Sequence, residues 1–511
     1  MSTRVPQDTK ISARQENVLD SGAYDQVLIE ITTYVFHYKI DNLLAKKRAR
    51  FALLDALGCA IETLHTSSEC TNIIGPVVPG TIVPHGFRLP GTGYELDPLK
   101  GAFDLGTMIR YLDHNDAFGG AEWGHPSDNI GALLSVADWL ARSSAAAREQ
   151  PATSSDSEFS QQRGPLNMDC LLTALIKAYE IQGGLQQLNS FNAVGLDHTI
   201  LVKVASTAVV SWLMGLSEAQ AMAAVSHAFQ DGHPLRTFRQ SPNTGPRKGW
   251  AAGDACMRAV QMALLASKGQ PGAPTVLTDP KWGFYRRLFQ GKKFELQRPY
   301  SDRVIQEVGF KLVPAEGHGI SAVEAALQIV QTLKAKGLNA EKDVARLLIR
   351  TQAPAYTIIN KTGPLKNAAD RDHCLQYMIA VVLLKGAIIE TVDYMEDSPW
   401  AVDPRVDCLR AKMEVVNDKT FTRDYYDGNK RSCSNAIQVF LENGHAMDDV
   451  VVEYPIGHPD RAETLEHLQK KTRRNLELGF DDERVDKIFK AVGKDDLPVQ
   501  AFVDLFVQTK N

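Results

Sequence analysis

The stretch Tyr111–Asn129, YLDHNDAFGGAEWGHPSDN, sets aspartates and histidines into a Gly-containing loop, and the residues on either side say what holds that loop. Upstream, Leu99, Ala102, Phe103, Gly106, Ile109 and Leu112 recur at helical spacing in PLKGAFDLGTMIRYL, which predicts a helix with one apolar stripe. Asp113 falls at the C-terminal end of that helix, where the dipole disfavours a carboxylate and calls for a cation, a hydrogen-bond donor or solvent. Downstream, Ser127 and Asp128 precede Ile130, Leu133, Leu134, Ala137 and Leu140, the pattern of a second helix with an oxygen side chain capping its first turn. His125 therefore stands at a helix N-terminus, where positive potential keeps imidazole neutral and able to accept a proton.

The surrounding chain is large enough for more than one core. Its 511 residues are 44% hydrophobic, a length that favours two or more domains. With 56 basic against 61 acidic residues the net charge is −5, so no global field favours nucleic acid. Seven scattered cysteines, never spaced as CxxC, support neither a disulfide framework nor a metal or iron–sulfur ligand run, and read as reduced intracellular thiols. No run of eighteen apolar residues exists, which predicts no membrane span. The polar N-terminus lacks a hydrophobic secretory core and makes a poor transit peptide, placing the chain in the cytoplasm or the mitochondrial matrix.

Moving outward, residues 1–25 read as flexible, and 143–166, rich in Ser, Gln and Ala, as a mobile loop. Helical patterns then recur through DHTILVKVASTAVVSWL, with His198 in the first turn, and a capping box, Ser217 with Gln220, opens the next helix. In LRTFRQSPNTGPRKGW, Arg236, Arg239, Arg247 and Lys248 crowd a loop leading into a helix, a local anion trap in a slightly acidic chain. Beyond residue 307 the character changes, with SAVEAALQIVQTLKAKG helical and DVARLLIRTQAPAYTII suited to a strand. FTRDYYDGNKRSCSNAIQVFLENG followed by MDDVVVEYPIGHP reads as a second helix-then-strand pair. The expected architecture is mainly α with a smaller α+β domain: a helical domain over 1–306, an α+β lid over 307–465, and C-terminal helices over 466–511 returning to the helical domain. Lys311, Glu316 and His318 lie near the hinge, and His373 and Tyr377 start a further helix. Taken singly, these five read as structural.

Seven collinear segments carry a resemblance: FRLPGTGYELDP (87–98), EWGHPSDN (122–129), GLDHTILVKVASTAVV, NTGPRKGWAAGDA (243–255), KWGFY (281–285), ADRDHCLQYM and VVVEYPIGH. On these the chain resembles the MmgE/PrpD family, along nearly its whole length. The resemblance implies a homodimer of two-domain subunits with the site in the cleft between helical domain and lid. It also implies a hydro-lyase that removes water from 2-methylcitrate to give 2-methyl-cis-aconitate, a step of propionate catabolism. The alternatives are a cis-aconitate decarboxylase-like reaction and a non-catalytic tricarboxylate binder. Matched motif to motif, the functional positions are Asp113, His125, His198, Lys248, Lys311 and Tyr377.

In that implied reaction His125, oriented by Asp113, takes the proton. His198 or Tyr377 protonates the leaving hydroxyl. Lys248 and Lys311 hold substrate carboxylates, with Arg236, Arg239 or Arg247 assisting. The scheme calls for no metal and no cofactor. One departure from the family pattern is Ala117, where several relatives place a threonine.

Overall fold

The computed structural model describes residues 24–149, 165–240, 242–428 and 430–508. The expected flexible segment 1–25 thus falls almost wholly outside the described residues, as does 150–164 of the expected mobile loop. The first part of that loop is helical instead, because the small helix-forming residues after Arg142 extend the preceding helix to Glu149.

The helical body contains α1 (Gln26–His37), α2 (Leu43–Thr66), α3 (Pro98–Arg110), α4 (Ile130–Glu149), α5 (Met168–Leu188), α6 (Thr199–Leu213), α7 (Glu218–Gln230) and α8 (Arg247–Ser267). Helix α3 starts where Asp97 accepts hydrogen bonds from the backbone N–H groups of Leu99 and Lys100, with Pro98 fixing the first turn. The expected capping box of Ser217 and Gln220 opens α7. Helices α3, α4 and α8 meet where no side chain fits: a Cβ on Gly131 would lie 2.7 Å from Gly106 Cα, and one on Gly106 2.9 Å from Gly253 Cα. That close approach fixes the direction in which the C-terminal end of α3 points.

The smaller α+β part, the one expected from sequence to be a lid, contains α9 (Ile320–Ala335), β1 (Val344–Thr351), α10 (Ala353–Ile358), α11 (Leu375–Lys385), β2 (Met413–Asn417), α12 (Lys419–Tyr426), β3 (Asn435–Leu441) and β4 (Val450–Val452). Its sheet runs β2-β1-β3-β4, with β1 and β2 parallel and the other pairs antiparallel. Two sequence readings are corrected here. The strand read through Ile359 stops at Thr351, since Gln352 caps α10 and Pro354 sits in its first turn. NAIQVFL, read as part of a helix, is strand β3, because this mostly apolar run pairs antiparallel with β1 and gains its ladder of hydrogen bonds there.

Buried apolar side chains form two main clusters. One spans Tyr24 to Phe310 and includes Leu468, Leu476, Val485, Phe502 and Phe506 from the C-terminal helices, among them α13 (Thr464–Glu477). The other, from Val313 to Val452, is the lid core. Among the described residues no helix is long and apolar enough to cross a membrane.

Candidate active site

Arg110, the last residue of α3, is 2% exposed. Two residues of turn follow, and Asp113 adopts a left-handed φ of +54°, a strained conformation for a residue with a side chain. The turn sends its carboxylate back onto Arg110, Nη1 to Oδ1 at 2.6 Å. The other guanidinium arm donates to His125 Nε2 at 3.0 Å, while His125 Nδ1–H donates to the Asp116 carbonyl at 2.7 Å. These two bonds fix the tautomer with the proton on Nδ1 and the lone pair on Nε2. His125 is therefore oriented by the Asp116 carbonyl and Arg110, whereas the sequence reading gave that role to Asp113. The capping expectation is also corrected. The Asp116 carboxylate accepts from both the backbone N–H and the hydroxyl of Ser127, so the cap comes from the loop and not from Ser127 itself.

Asp113 is the hub of the local charge. Lys311 Nζ reaches its Oδ1 at 2.5 Å and its carbonyl at 3.0 Å. Burial pushes the Asp113 carboxyl up, but Arg110, Lys311 and Lys248 together outweigh it and hold the group well below the usual carboxylate range. His125 is held neutral by burial first and by Arg110 and Lys311 next. Behind the site, Lys471 on α13 is buried and donates to the main-chain carbonyls of His114 (2.7 Å) and Lys311 (2.8 Å), paired with Asp55 at 2.8 Å. It ties the 113–129 loop and the segment around Lys311 to the C-terminal helix.

His198 faces His125 across the cavity, ring centroids 5.5 Å apart. It is 3% exposed, and neither ring nitrogen has a hydrogen-bond partner among the described residues. Burial keeps it neutral against the pull of Asp197, whose Oδ1 lies 3.9 Å from Nδ1. Asp197 in turn holds Arg239, with Nε–Oδ2 at 2.5 Å, and Arg236 at 3.4 Å. The cations thus arrive already paired with carboxylates, and an anionic substrate must share them.

The lid adds a second layer. Glu316 Oε1 takes His318 Nδ1 at 2.8 Å, and His318 Nε2 meets the Tyr425 hydroxyl at 3.1 Å, with the imidazole 4.6 Å from the Trp123 ring. Burial raises the Glu316 carboxyl, but His318 draws it down to about 2. On the other side Asp372 holds both Lys248 (2.6 Å) and His373 Nδ1 (2.6 Å).

A cavity of about 310 Å³ lies between body and lid. Asp113, His125, His198, Lys311, Arg236 and Arg239 line it, six of the nine residues singled out from sequence. The other three do not. Lys248 faces a separate cavity of about 510 Å³ behind the Asp372 pair, though its Nζ is 3.9 Å from Asp113 Oδ2. Arg247 stacks on Trp250, 4.0 Å to the ring centre. The Tyr377 hydroxyl donates to the Asp393 carbonyl at 2.8 Å, away from the cavity. Ala117 pairs its backbone with Gly309 and does not line the cavity either. Sequence reasoning missed Arg110 and Tyr425, and it read Glu316, His318 and His373, which also line the cavity, as structural. For Arg110 the available signal was an arginine three residues ahead of Asp113 on a helix otherwise striped with apolar residues.

Among the described residues one trio with metal-ligating side chains, Cys59, Glu62 and His114, brings its donor atoms within 4.8 Å of one another. The Lys471 ammonium stands 3.5 Å from Cys59 Sγ, and Glu62 already bonds His114 Nδ1 at 2.7 Å, so a built-in cation already sits beside the thiol and two of the three donor groups are engaged with each other, an arrangement that does not suit a metal ion.

The MmgE/PrpD N-terminal domain model matches residues 29–297, and the MmgE/PrpD C-terminal domain model matches 313–495. The chain is 55% identical to the 2-methylcitrate dehydratase-like protein oryR of Aspergillus oryzae, over 95% of this chain and 96% of that protein. It is 50% identical to the alkylcitrate dehydratase phiI of a fungal species, over 98% and 97% of the two chains. To the mitochondrial 2-methylcitrate dehydratase of Yarrowia lipolytica it is 47% identical, over 98% and 94%.

Proposed function

Because the chain belongs to the MmgE/PrpD family, we propose that it is a hydro-lyase acting on 2-methylcitrate, giving 2-methyl-cis-aconitate and water. In this reaction a C–H bond breaks at the methyl-bearing carbon, the C–O bond breaks at the neighbouring tertiary carbon, and the released pair forms the C=C bond. The carboxylate beside the breaking C–H bond is a poor electron sink. The developing dianion therefore needs fixed positive charge, which Arg110 and Lys311 supply beside the histidines.

His125 is the base in this reading, its tautomer set by the Asp116 carbonyl and its lone pair on Nε2. A substrate carboxylate drawing Arg110 toward itself frees that lone pair. His198 is the acid. The substrate's negative charge raises its proton affinity, and Asp197 at 3.9 Å supports the imidazolium. The observation that carries the reading is the His198 ring, buried at the cavity wall with both nitrogens unpartnered among the described residues, opposite a tautomer-fixed His125.

Purified protein supplied with 2-methylcitrate, citrate and cis-aconitate, followed by ultraviolet absorbance of the conjugated product and by carbon dioxide release, tests it. Absorbance rising with 2-methylcitrate and no carbon dioxide from cis-aconitate is the expected result. Carbon dioxide evolution from cis-aconitate, or silence with 2-methylcitrate, overturns it.

A further inference from the structure

Charge does not balance in the cavity once a tricarboxylate enters it. Four cations line it, Arg110, Arg236, Arg239 and Lys311, against the carboxylates of Asp113 and Glu316. Asp197 stands behind both Arg236 and Arg239 and cancels a third cation. One net positive charge then meets the three negative charges of the ligand, and a buried excess of charge is costly. Among the lining groups the imidazoles take up protons most readily near neutral pH, so they are the natural source of the missing positive charge.

Four histidines line the cavity, His125, His198, His318 and His373, and their neighbours separate them. His125 has the Arg110 guanidinium 3.0 Å from Nε2, which opposes a charge on that ring. His318 has both nitrogens engaged, Nδ1 by Glu316 and Nε2 by Tyr425. His198 is the acid of the dehydratase reading and takes one proton beside Asp197. That leaves His373.

His373 is 5% exposed, in the turn just before α11. Its Nδ1–H donates to Asp372 Oδ1 at 2.6 Å, and Nε2 makes no hydrogen bond among the described residues. Asp113 Oδ2 lies 4.0 Å from Nδ1, and Glu316 is close enough to feel a charge on the ring. The opposing cation is Lys248, 3.2 Å from Nδ1, and its ammonium is itself held by both Asp372 oxygens at 2.7 and 2.6 Å. Burial first and Lys248 second hold the ring neutral. Three carboxylates around one lysine make it ready to charge when a further anion adds to them.

We propose that His373 is a tricarboxylate-binding residue that becomes charged only as it binds: Nε2 takes a proton from water and donates it in a hydrogen bond to a ligand carboxylate, with Asp372 behind the ring. The proton returns to water when the ligand leaves. The inference rests on the dehydratase reading for a tricarboxylate in the cavity and for the proton on His198, and adds the residue that reads the anion.

Tricarballylate is the probe, the same tricarboxylic frame without the hydroxyl and so unable to lose water. Calorimetric titration of the full chain at about pH 7.5, in two buffers of different ionisation enthalpy, counts the protons taken up per ligand bound. The expected count is about two for the unaltered protein and about one for His373→Asn, whose amide keeps the bond to Asp372 but carries no charge. The variant should bind about tenfold more weakly and raise KM for 2-methylcitrate by a similar factor, with kcat within a few-fold, a split that general damage to the fold would not give. Equal proton uptake by the two proteins, no uptake by the unaltered one, or no binding of tricarballylate overturns the proposal. Should His373→Asn not fold, the pH dependence of the unaltered protein decides, because each proton taken up weakens binding about tenfold per pH unit. A fall of about a hundredfold per unit supports the proposal, and about tenfold or less overturns it. A protein silent with 2-methylcitrate that still shows the proton difference would end the dehydratase reading and leave this assignment standing.

Discussion

Replacing His198 by leucine separates a catalytic histidine from a structural one. The ring is 3% exposed, and no hydrogen bond to it would be lost among the described residues, because neither nitrogen makes one. A buried polar group left without a partner costs about 1–3 kcal/mol. Leucine fills a similar volume beside His125 and removes that cost, so the fold should be unchanged or stabilised by about 1 kcal/mol, a rise of roughly a degree in melting temperature for a chain of this size. Turnover should fall by about 10²–10⁴, the usual loss when a proton-transfer group is removed. Thermal melting and 2-methylcitrate dehydration on the same preparation check both halves. A His198→Leu protein that melts several degrees lower yet keeps its kcat within a few-fold would refute the reasoning, since the ring would then be holding the fold and moving no proton.

Arg110→Met should cut kcat/KM by about 10²–10³, because one guanidinium touches both Asp113 and His125 and its loss removes a fixed positive charge at the developing dianion. Steady-state kinetics would show it, and a change under threefold would contradict the role. Lys471→Met strands the Asp55 carboxylate and two main-chain carbonyls in the interior, and should destabilise by about 3–5 kcal/mol, read as a lower melting temperature with a parallel loss of activity. His233, far from the cavity, carries a pH signature. Burial first and Lys203 second lower it to about 4, so below about 6.5 the unfolded chain binds a proton that the folded chain refuses. Its contribution is complete above pH 6.5 and is lost as pH falls toward 4, at about 1.4 kcal/mol per pH unit. His233→Gln, with an amide to replace the bond to the Phe229 carbonyl, should flatten the acid side of the stability curve by that slope, and an unchanged slope would contradict it.

What could be read from sequence divides by range. Local signals, such as Asp97 before Pro98 and Ser217 before Gln220, specify their helices because the cap and the capped groups lie within three residues. The mainly helical class with a smaller α+β part follows from period and composition, and the structure has it. Short apolar runs failed, as at NAIQVFL, where only pairing with β1 decides strand over helix. In the site, Asp113 and His125 stood out by residue type, but their hydrogen-bond partners did not. Arg110 looks like an ordinary basic helix end until Asp113 and His125 close on its buried guanidinium, and the Asp116 carbonyl carries no side-chain signal at all. Resemblance brought Tyr377 forward by motif alone, and a motif says nothing about the hydroxyl turning to Asp393.

The Lys471 clasp has a consequence for biosynthesis. A chain emerging from the ribosome has Asp113 and Lys311 exposed long before α13 is made, yet their loop and hinge carbonyls await an ammonium some 160 residues downstream of Lys311. Activity should thus appear only once the final helices have left the exit tunnel. A nascent protein halted anywhere before Thr464 would be assembled in most of its mass and still silent as an enzyme.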